Sequence, residues 1–342
     1  MRHLPVDNPP NRFATTETVY GDGEAPPTEL EVYFDRSGSI LAKNDSPDLG
    51  FGFSVNPYRG CFHGCAYCYA RPTHEYLSFG AGTDFERKIV VKPDAPELLD
   101  KALGAGSWRR DLVLFSGVTD CYQPLEARYE LTRRCLQVCA LHKTPVHVIT
   151  KSPLVERDMD VLSSVAREAG GASVAISIPF ASDEHARALE PFVTPPSRRL
   201  RTVERLAAAG LRVGVSVAPI IPGLGDEELP RVLEAAKAAG ASFAGYVLLR
   251  LPGHVKEVFE ARLRARLPEK ADKVMARIRQ TRGGKLYDAR FKTRGRGEGP
   301  YAEAIEALFR TTAQRLGLES GYTYSVARAP KPPDEPQLSL FR

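Results

Sequence analysis

Short apolar runs rich in β-branched residues alternate with stretches of helical period from about residue 51 to about residue 250, and this alternation leaves few folds open. The runs at 52–56, 112–116, 146–150, 173–178, 212–218 and 243–249 read as strands. The segments at 125–141, 153–169, 196–209 and 227–239 have helical spacing, and Gly170-Gly171, Gly210 and Gly240 stand where helices should stop. Fully apolar strands separated by helices predict an α/β fold whose parallel sheet is covered by helices on its outside. Six such units suit a partial (β/α)6 parallel barrel, open on one side, better than a closed barrel of about eight units. An open doubly wound sheet competes weakly, since no Gly-x-Gly-x-x-Gly follows a first strand.

The loop after the first strand carries Cys61, Cys65 and Cys68 in the run Asn-Pro-Tyr-Arg-Gly-Cys-Phe-His-Gly-Cys-Ala-Tyr-Cys-Tyr. In barrels of parallel strands the chemistry sits at the C-terminal strand ends, and this loop falls there. Three thiolates at C-x3-C-x2-C spacing can hold three corners of a four-iron, four-sulfur cluster. No fourth cysteine follows at short spacing, so one iron keeps an open position for a substrate or cofactor. A Cys3His zinc site using His63 is the alternative, but zinc ligands usually arrive as two separated pairs. A disulfide is less fitting: the start Met-Arg-His-Leu-Pro is polar, no apolar run stands behind it, and the chain has 6 cysteines in 342 residues. These features predict a chain of the reducing cytoplasm with free thiols. No apolar stretch is long enough for a membrane span.

The triplet, with aromatic Tyr67 just before its last cysteine, resembles the signature of the radical S-adenosylmethionine (SAM) superfamily. The longer stretch from Asn56-Pro57-Tyr58-Arg59-Gly60 through Ala70-Arg71-Pro72-Thr73-His74 is similar to the branch related to spore photoproduct lyase. The resemblance runs from about residue 44 to about residue 317. It implies a partial barrel of radical SAM type, a [4Fe-4S] cluster on Cys61, Cys65 and Cys68, and S-adenosyl-L-methionine chelated through its amino group and carboxylate to the open iron. It also implies one-electron cleavage of the sulfonium to a 5′-deoxyadenosyl radical, with the electron from a donor such as a flavodoxin or ferredoxin.

Residues at the strand ends are then the candidates for holding SAM. Ser116, Gly117 and Thr119 occupy the place of the superfamily's glycine-rich motif, although the usual Gly-Gly-Glu is absent. Lys151 ends the third strand and offers a cation for the SAM carboxylate. Ser177 is placed to reach the ribose, and the backbones of Val217 and Tyr67 to edge the adenine. Cys121 follows the second strand. The resemblance to spore photoproduct lyase makes it a candidate catalytic hydrogen-atom donor, against the plain reading of a small buried residue. Cys135 and Cys139, i and i+4 on one helix, read as a core face.

Residues 1–43 read as an irregular N-terminal arm, with one alternating stretch at 29–34. Residues 44–250 read as the barrel, 251–327 as a basic helical C-terminal extension and 328–342 as a flexible tail. The net charge is +5, yet 251–300 holds fourteen Lys/Arg against six Asp/Glu; that segment is +8 and the remainder −3. A local positive excess suggests a polyanion partner, with DNA foremost. The chain ends in Gln337-Leu338-Ser339-Leu340-Phe341, which resembles the pentapeptide by which bacterial DNA-processing proteins dock on the polymerase sliding clamp. Together these expectations describe a radical SAM enzyme acting on DNA as a repair lyase. The alternatives are radical SAM modification of RNA or protein, and a cluster-stabilised nucleic-acid-binding module without turnover.

Overall fold

The computed structural model describes residues 4–13 and 28–321. The clamp-like motif at 337–341 and the tail that carries it lie outside the described residues. The strands are β1 Glu31–Phe34, β2 Leu41–Lys43, β3 Phe53–Val55, β4 Tyr58–Arg59, β5 Lys88–Val91, β6 Val113–Phe115, β7 Val146–Thr150, β8 Ala172–Ser177, β9 Arg212–Ile220, β10 Phe243–Leu248 and β11 Glu319–Ser320. The helices are α1 Thr83–Arg87, α2 Ala95–Leu103, α3 Glu126–Tyr129, α4 Leu131–Leu141, α5 Met159–Glu168, α6 Asp183–Leu189, α7 Pro196–Ala208, α8 Leu229–Ala238, α9 Val255–Arg266, α10 Pro268–Gln280 and α11 Pro300–Arg315.

The main sheet has eight strands in the order β11-β10-β9-β8-β7-β6-β3-β2. From β3 to β10 all neighbours pair in parallel and in chain order, which is the expected six-unit barrel wall. The wall does not close. β2 borders it antiparallel at one edge, and β11 extends it in parallel at the other. Val55, Val113, Phe115, Val146, Val148 and Val174 are completely buried between the sheet and the helices, as the unbroken apolar strands require. Gly170, Gly210 and Gly240 take positive φ at the helix ends, where a side chain would be strained.

Two features depart from the expected layout. The stretch read as an irregular arm supplies two strands: β1 pairs in parallel with β5 in a separate three-stranded sheet, and β2 joins the main sheet. The helical period at 125–141 is split between α3 and α4 at Glu130, which has φ 51°. Glu126 causes the break, because its carboxylate accepts from Thr132 N (2.9 Å) and Arg133 N (3.3 Å) and so meets the unpaired amides that open α4. The expected basic helical extension packs directly against the cysteine loop. Val255, Phe259 and Leu263 of α9, with Ala271, Val274, Met275 and Ile278 of α10, share a second buried cluster with Cys65, Ala66 and Tyr67 of the cysteine loop.

Candidate active site at the strand ends

The cysteine loop is fastened at both ends. After β3, the two residues of β4 pair antiparallel with β5, and Gly60 turns the chain at φ +74°. A Cβ on Gly60 would sit 2.8 Å from His74 Cε1 and 3.0 Å from Phe85 O, so both the turn and the close approach require glycine. Cys61 N donates to Phe85 O and Ala66 N to Leu189 O, each at 2.9 Å. Beneath the loop lies Arg71, fully buried. Its guanidinium donates to the carbonyls of Cys65 (2.8 Å), Ala81 (2.9 Å), Gly82 (2.9 Å) and Gly64 (3.3 Å), and to the buried Glu86 carboxylate (2.5 Å). Arg262 of α9 approaches the same carboxylate at 3.8 Å. A buried ion pair with every donor engaged fixes geometry more than it adds stability.

The three thiols are free of disulfides; Cys61 and Cys65 are buried and Cys68 is partly exposed. Burial raises the thiols of Cys65 and Cys68. For Cys61 the same burial is overcome by the His63 imidazolium beside it, which holds the thiol below its ordinary value. His63 Nδ1 lies 3.4 Å from Asp120 Oδ2. Asp120 also accepts from Thr150 Oγ1 (2.6 Å), Lys151 N (2.8 Å) and Tyr122 N (3.0 Å). Against its burial these partners pull Asp120 down to about 2, and Cys61 with Asp120 lifts His63 to about 10. Among the described residues no three His, Cys, Asp or Glu side chains converge on a point where one metal ion would sit. His63 is a charge partner of Cys61 and Asp120. Three free thiols on one pinned loop, with cations beside them, suit a larger, negatively charged cluster.

Several strand-end residues gather around this loop. The Tyr67 hydroxyl donates to the Glu190 carboxylate, which also accepts from Arg199 Nη2; Arg199 Nη1 donates to Ser177 O at 2.7 Å. This buried chain ties the aromatic residue before Cys68 to the end of β8. Lys151 Nζ lies 5.7 Å from the centre of the Tyr67 ring. Burial would lower the lysine, but Cys65, Glu190 and Asp120 together hold it above its ordinary value, so it stays a cation. Thr119 Oγ1 donates to Gly60 O (2.5 Å), and Val118 N to Asn56 Oδ1 (3.1 Å). Ser116 and Gly117 have φ of 110° and 122°. A serine there is strained, as residues at ligand clamps often are. Tyr69, next to Cys68, donates its hydroxyl to Gly117 O.

Tyr67, Ser116, Gly117, Thr119, Lys151 and Ser177 are thus brought to one end of the barrel with the three cysteines. Val217 is wholly buried inside β9, which runs on to Ile220. Cys121 is fully buried in the main core with Val55, Phe115 and Tyr122, and its sulfur lies 3.5 Å from Oγ of Ser116 at the strand end. Cys135 and Cys139 are core residues, as their spacing predicts. Arg71, Glu86, Asp120, Glu190 and Arg199 were missed as site residues. Asp120 was within reach of a sequence reading because it follows a strand end directly. Glu190 and Arg199 carry no local signal, since their pairing exists only once α6 and α7 pack on the sheet.

A model of the radical SAM superfamily matches residues 55–236. The chain belongs to the radical SAM superfamily. An uncharacterized protein of Mycobacterium tuberculosis (strain H37Rv) is 39% identical over 223 residues, which span 65% of this chain and 65% of that relative's own length. An uncharacterized protein of Acidianus two-tailed virus is 30% identical over 183 residues, 51% of this chain and 58% of its own. Among solved structures, spore photoproduct lyase complexed with dinucleoside spore photoproduct has a TM-score of 0.62 at 16% identity, covering 85% of this chain and 82% of that one. A mutant of the lyase with bound AdoMet and the dinucleoside spore photoproduct has a TM-score of 0.59 at 18% identity, covering 86% and 82%. At these identities the likeness establishes the fold.

As a member of the radical SAM superfamily the chain works with a [4Fe-4S] cluster and S-adenosylmethionine. The loop of Cys61, Cys65 and Cys68 is the set of residues that fits the cluster. Among the described residues no helix is long and apolar enough to cross a membrane.

Proposed function

We propose that this protein is a radical SAM enzyme acting on nucleic acid, as a DNA-repair lyase in the manner of spore photoproduct lyase. When bound, the cluster and SAM supply one-electron cleavage of the sulfonium and thereby a hydrogen-abstracting carbon radical. In this reading Cys61, Cys65 and Cys68 hold the cluster and Lys151 pairs with the SAM carboxylate. The strained Ser116-Gly117 turn, with Thr119 behind it, receives the methionine amino group. Ser177 faces the ribose, and the backbones of Tyr67 and Val217 border the adenine. Tyr69 is 47% exposed with the Arg250 guanidinium over its ring, 5.3 Å from the centre, where a base turned out of its helix would meet an aromatic face beside a cation. That cationic, aromatic mouth is the observation that carries the nucleic-acid reading.

The tests separate the two halves of the reading. Anaerobically reconstituted protein, reduced in the presence of SAM, is expected to release 5′-deoxyadenosine; no release, with or without DNA, removes the radical SAM half for this chain. Filter binding of DNA and RNA is expected to show a preference for DNA. Tighter binding of RNA, or none of either, removes the repair half. In the same reading the 337–341 motif docks on the sliding clamp, and deleting it is expected to abolish clamp binding while leaving 5′-deoxyadenosine release unchanged.

A further inference from the structure

Arg250 stands just past β10, at the C-terminal edge of the sixth parallel strand, and among the described residues its guanidinium has neither a hydrogen-bond acceptor nor a carboxylate partner. Its Nε is buried. A buried donor without an acceptor is costly, so such a group in a folded protein calls for an explanation. The neighbouring cations show the contrast. Arg282 also has a buried Nε without an acceptor, but its Nη1 and Nη2 donate to the carbonyls of Leu249 (2.7 Å), Thr293 (2.8 Å) and Arg294 (3.0 Å), whereas no Nη of Arg250 finds an acceptor among the described residues. Arg294 pairs with Asp48, whose other oxygen accepts from Lys292 N. Asp48 is the acid within electrostatic reach of Arg250, and it is already taken.

The guanidinium instead lies over Tyr69, 5.3 Å from the ring centre. Tyr69 is held by its hydroxyl on Gly117 O and directly follows Cys68. Two cation–aromatic pairs therefore bracket Cys68: Lys151 on Tyr67 and Arg250 on Tyr69. A guanidinium fixed on an aromatic face keeps a planar fork of donors that matches an oxyanion, phosphate above all.

We propose that Arg250, set on Tyr69, is an oxyanion subsite at the barrel mouth that takes a phosphate group of the substrate. The subsite stands on the geometry above; assigning the phosphate to a nucleic-acid strand rests on the proposed function. The SAM carboxylate is the other oxyanion bound at this end, and Lys151 serves it. Isothermal titration of the cluster-loaded full chain with SAM, with tripolyphosphate and with a single-stranded oligonucleotide decides among these. In Arg250→Gln, tripolyphosphate and oligonucleotide are expected to bind about tenfold more weakly and SAM with unchanged affinity. Arg250→Lys, which keeps the charge without the fork, is expected to recover only part of the loss. Equal anion affinities in wild type and Arg250→Gln, or a loss confined to SAM, overturn the proposal. Arg250-dependent tripolyphosphate binding without oligonucleotide binding keeps the subsite and sinks the nucleic-acid reading. Oligonucleotide binding indifferent to Arg250 does the reverse.

Discussion

Arg71 reaches the carbonyls of Gly64, Cys65, Ala81 and Gly82 from a fully buried position and holds the cysteine loop from below. Arg71→Ala would take from the buried Glu86 carboxylate its 2.5 Å guanidinium partner, and four carbonyls would lose a donor. A loss of about 3–5 kcal/mol in urea unfolding is expected, with iron per chain after reconstitution well below wild type. Wild-type iron content in that variant would mean that the loop holds its shape unaided. Arg71→Lys should rescue little, because one ammonium cannot reproduce the fork. Cys121 is buried among core residues with its sulfur 3.5 Å from Ser116 Oγ. Cys121→Ala is expected to lower stability by about 1 kcal/mol and to leave 5′-deoxyadenosine release at the wild-type rate. A change in the hydrogen-transfer product would identify Cys121 as the hydrogen donor, and an unchanged product would leave it a core residue.

Helices α9 and α10 join the cysteine loop to the C-terminal region through apolar packing. Phe259 has no exposed surface and lies in the same cluster as Cys65 and Tyr67. Phe259→Ala should cost about 3–5 kcal/mol. Because the cavity opens beside the loop, oxygen is expected to bleach the cluster faster, which the decay of its visible absorbance would show; decay at the wild-type rate would uncouple α9 from the site. Part of the basic segment at 251–300 is committed as well. Lys256, Arg264, Lys273, Arg290, Arg294 and Arg296 each stand beside a carboxylate. The charge excess at 251–300 is therefore partly neutralised within the fold. Binding to single-stranded nucleic acid should show a shallow salt dependence, with a slope near −2 in log K against log salt, the value for about three phosphate contacts. A slope several times steeper would place the contact surface across the whole basic segment.

At the scale of the molecule, stability should fall with acid through histidines locked in the neutral form. Burial, helped by Arg212, lowers His147 to about 3, and burial lowers His74 to about 4. The unfolded chain takes up these protons near pH 6.5 and the folded chain only near 3 to 4. Between those limits the unfolded state binds more protons, so folding free energy is lost as pH falls. His147→Gln, neutral throughout, should reduce the loss between about pH 7.5 and about pH 5 by about 2 kcal/mol, as read from urea unfolding at each pH. An equal loss in both proteins would mean that His147 is protonated in the fold.

The order of the six parallel strands, the cysteine loop at their C-terminal end and the core face of Cys135 and Cys139 could all be read in the sequence. Each depends on a local period or spacing, which neighbouring residues carry by themselves. The break at Glu130, the sheet that recruits β1, the Tyr67–Glu190–Arg199 chain and the unpartnered Arg250 could not be read there. They arise where residues far apart in the chain compete for the same buried donors and acceptors, and only the packed tertiary structure decides which partners meet.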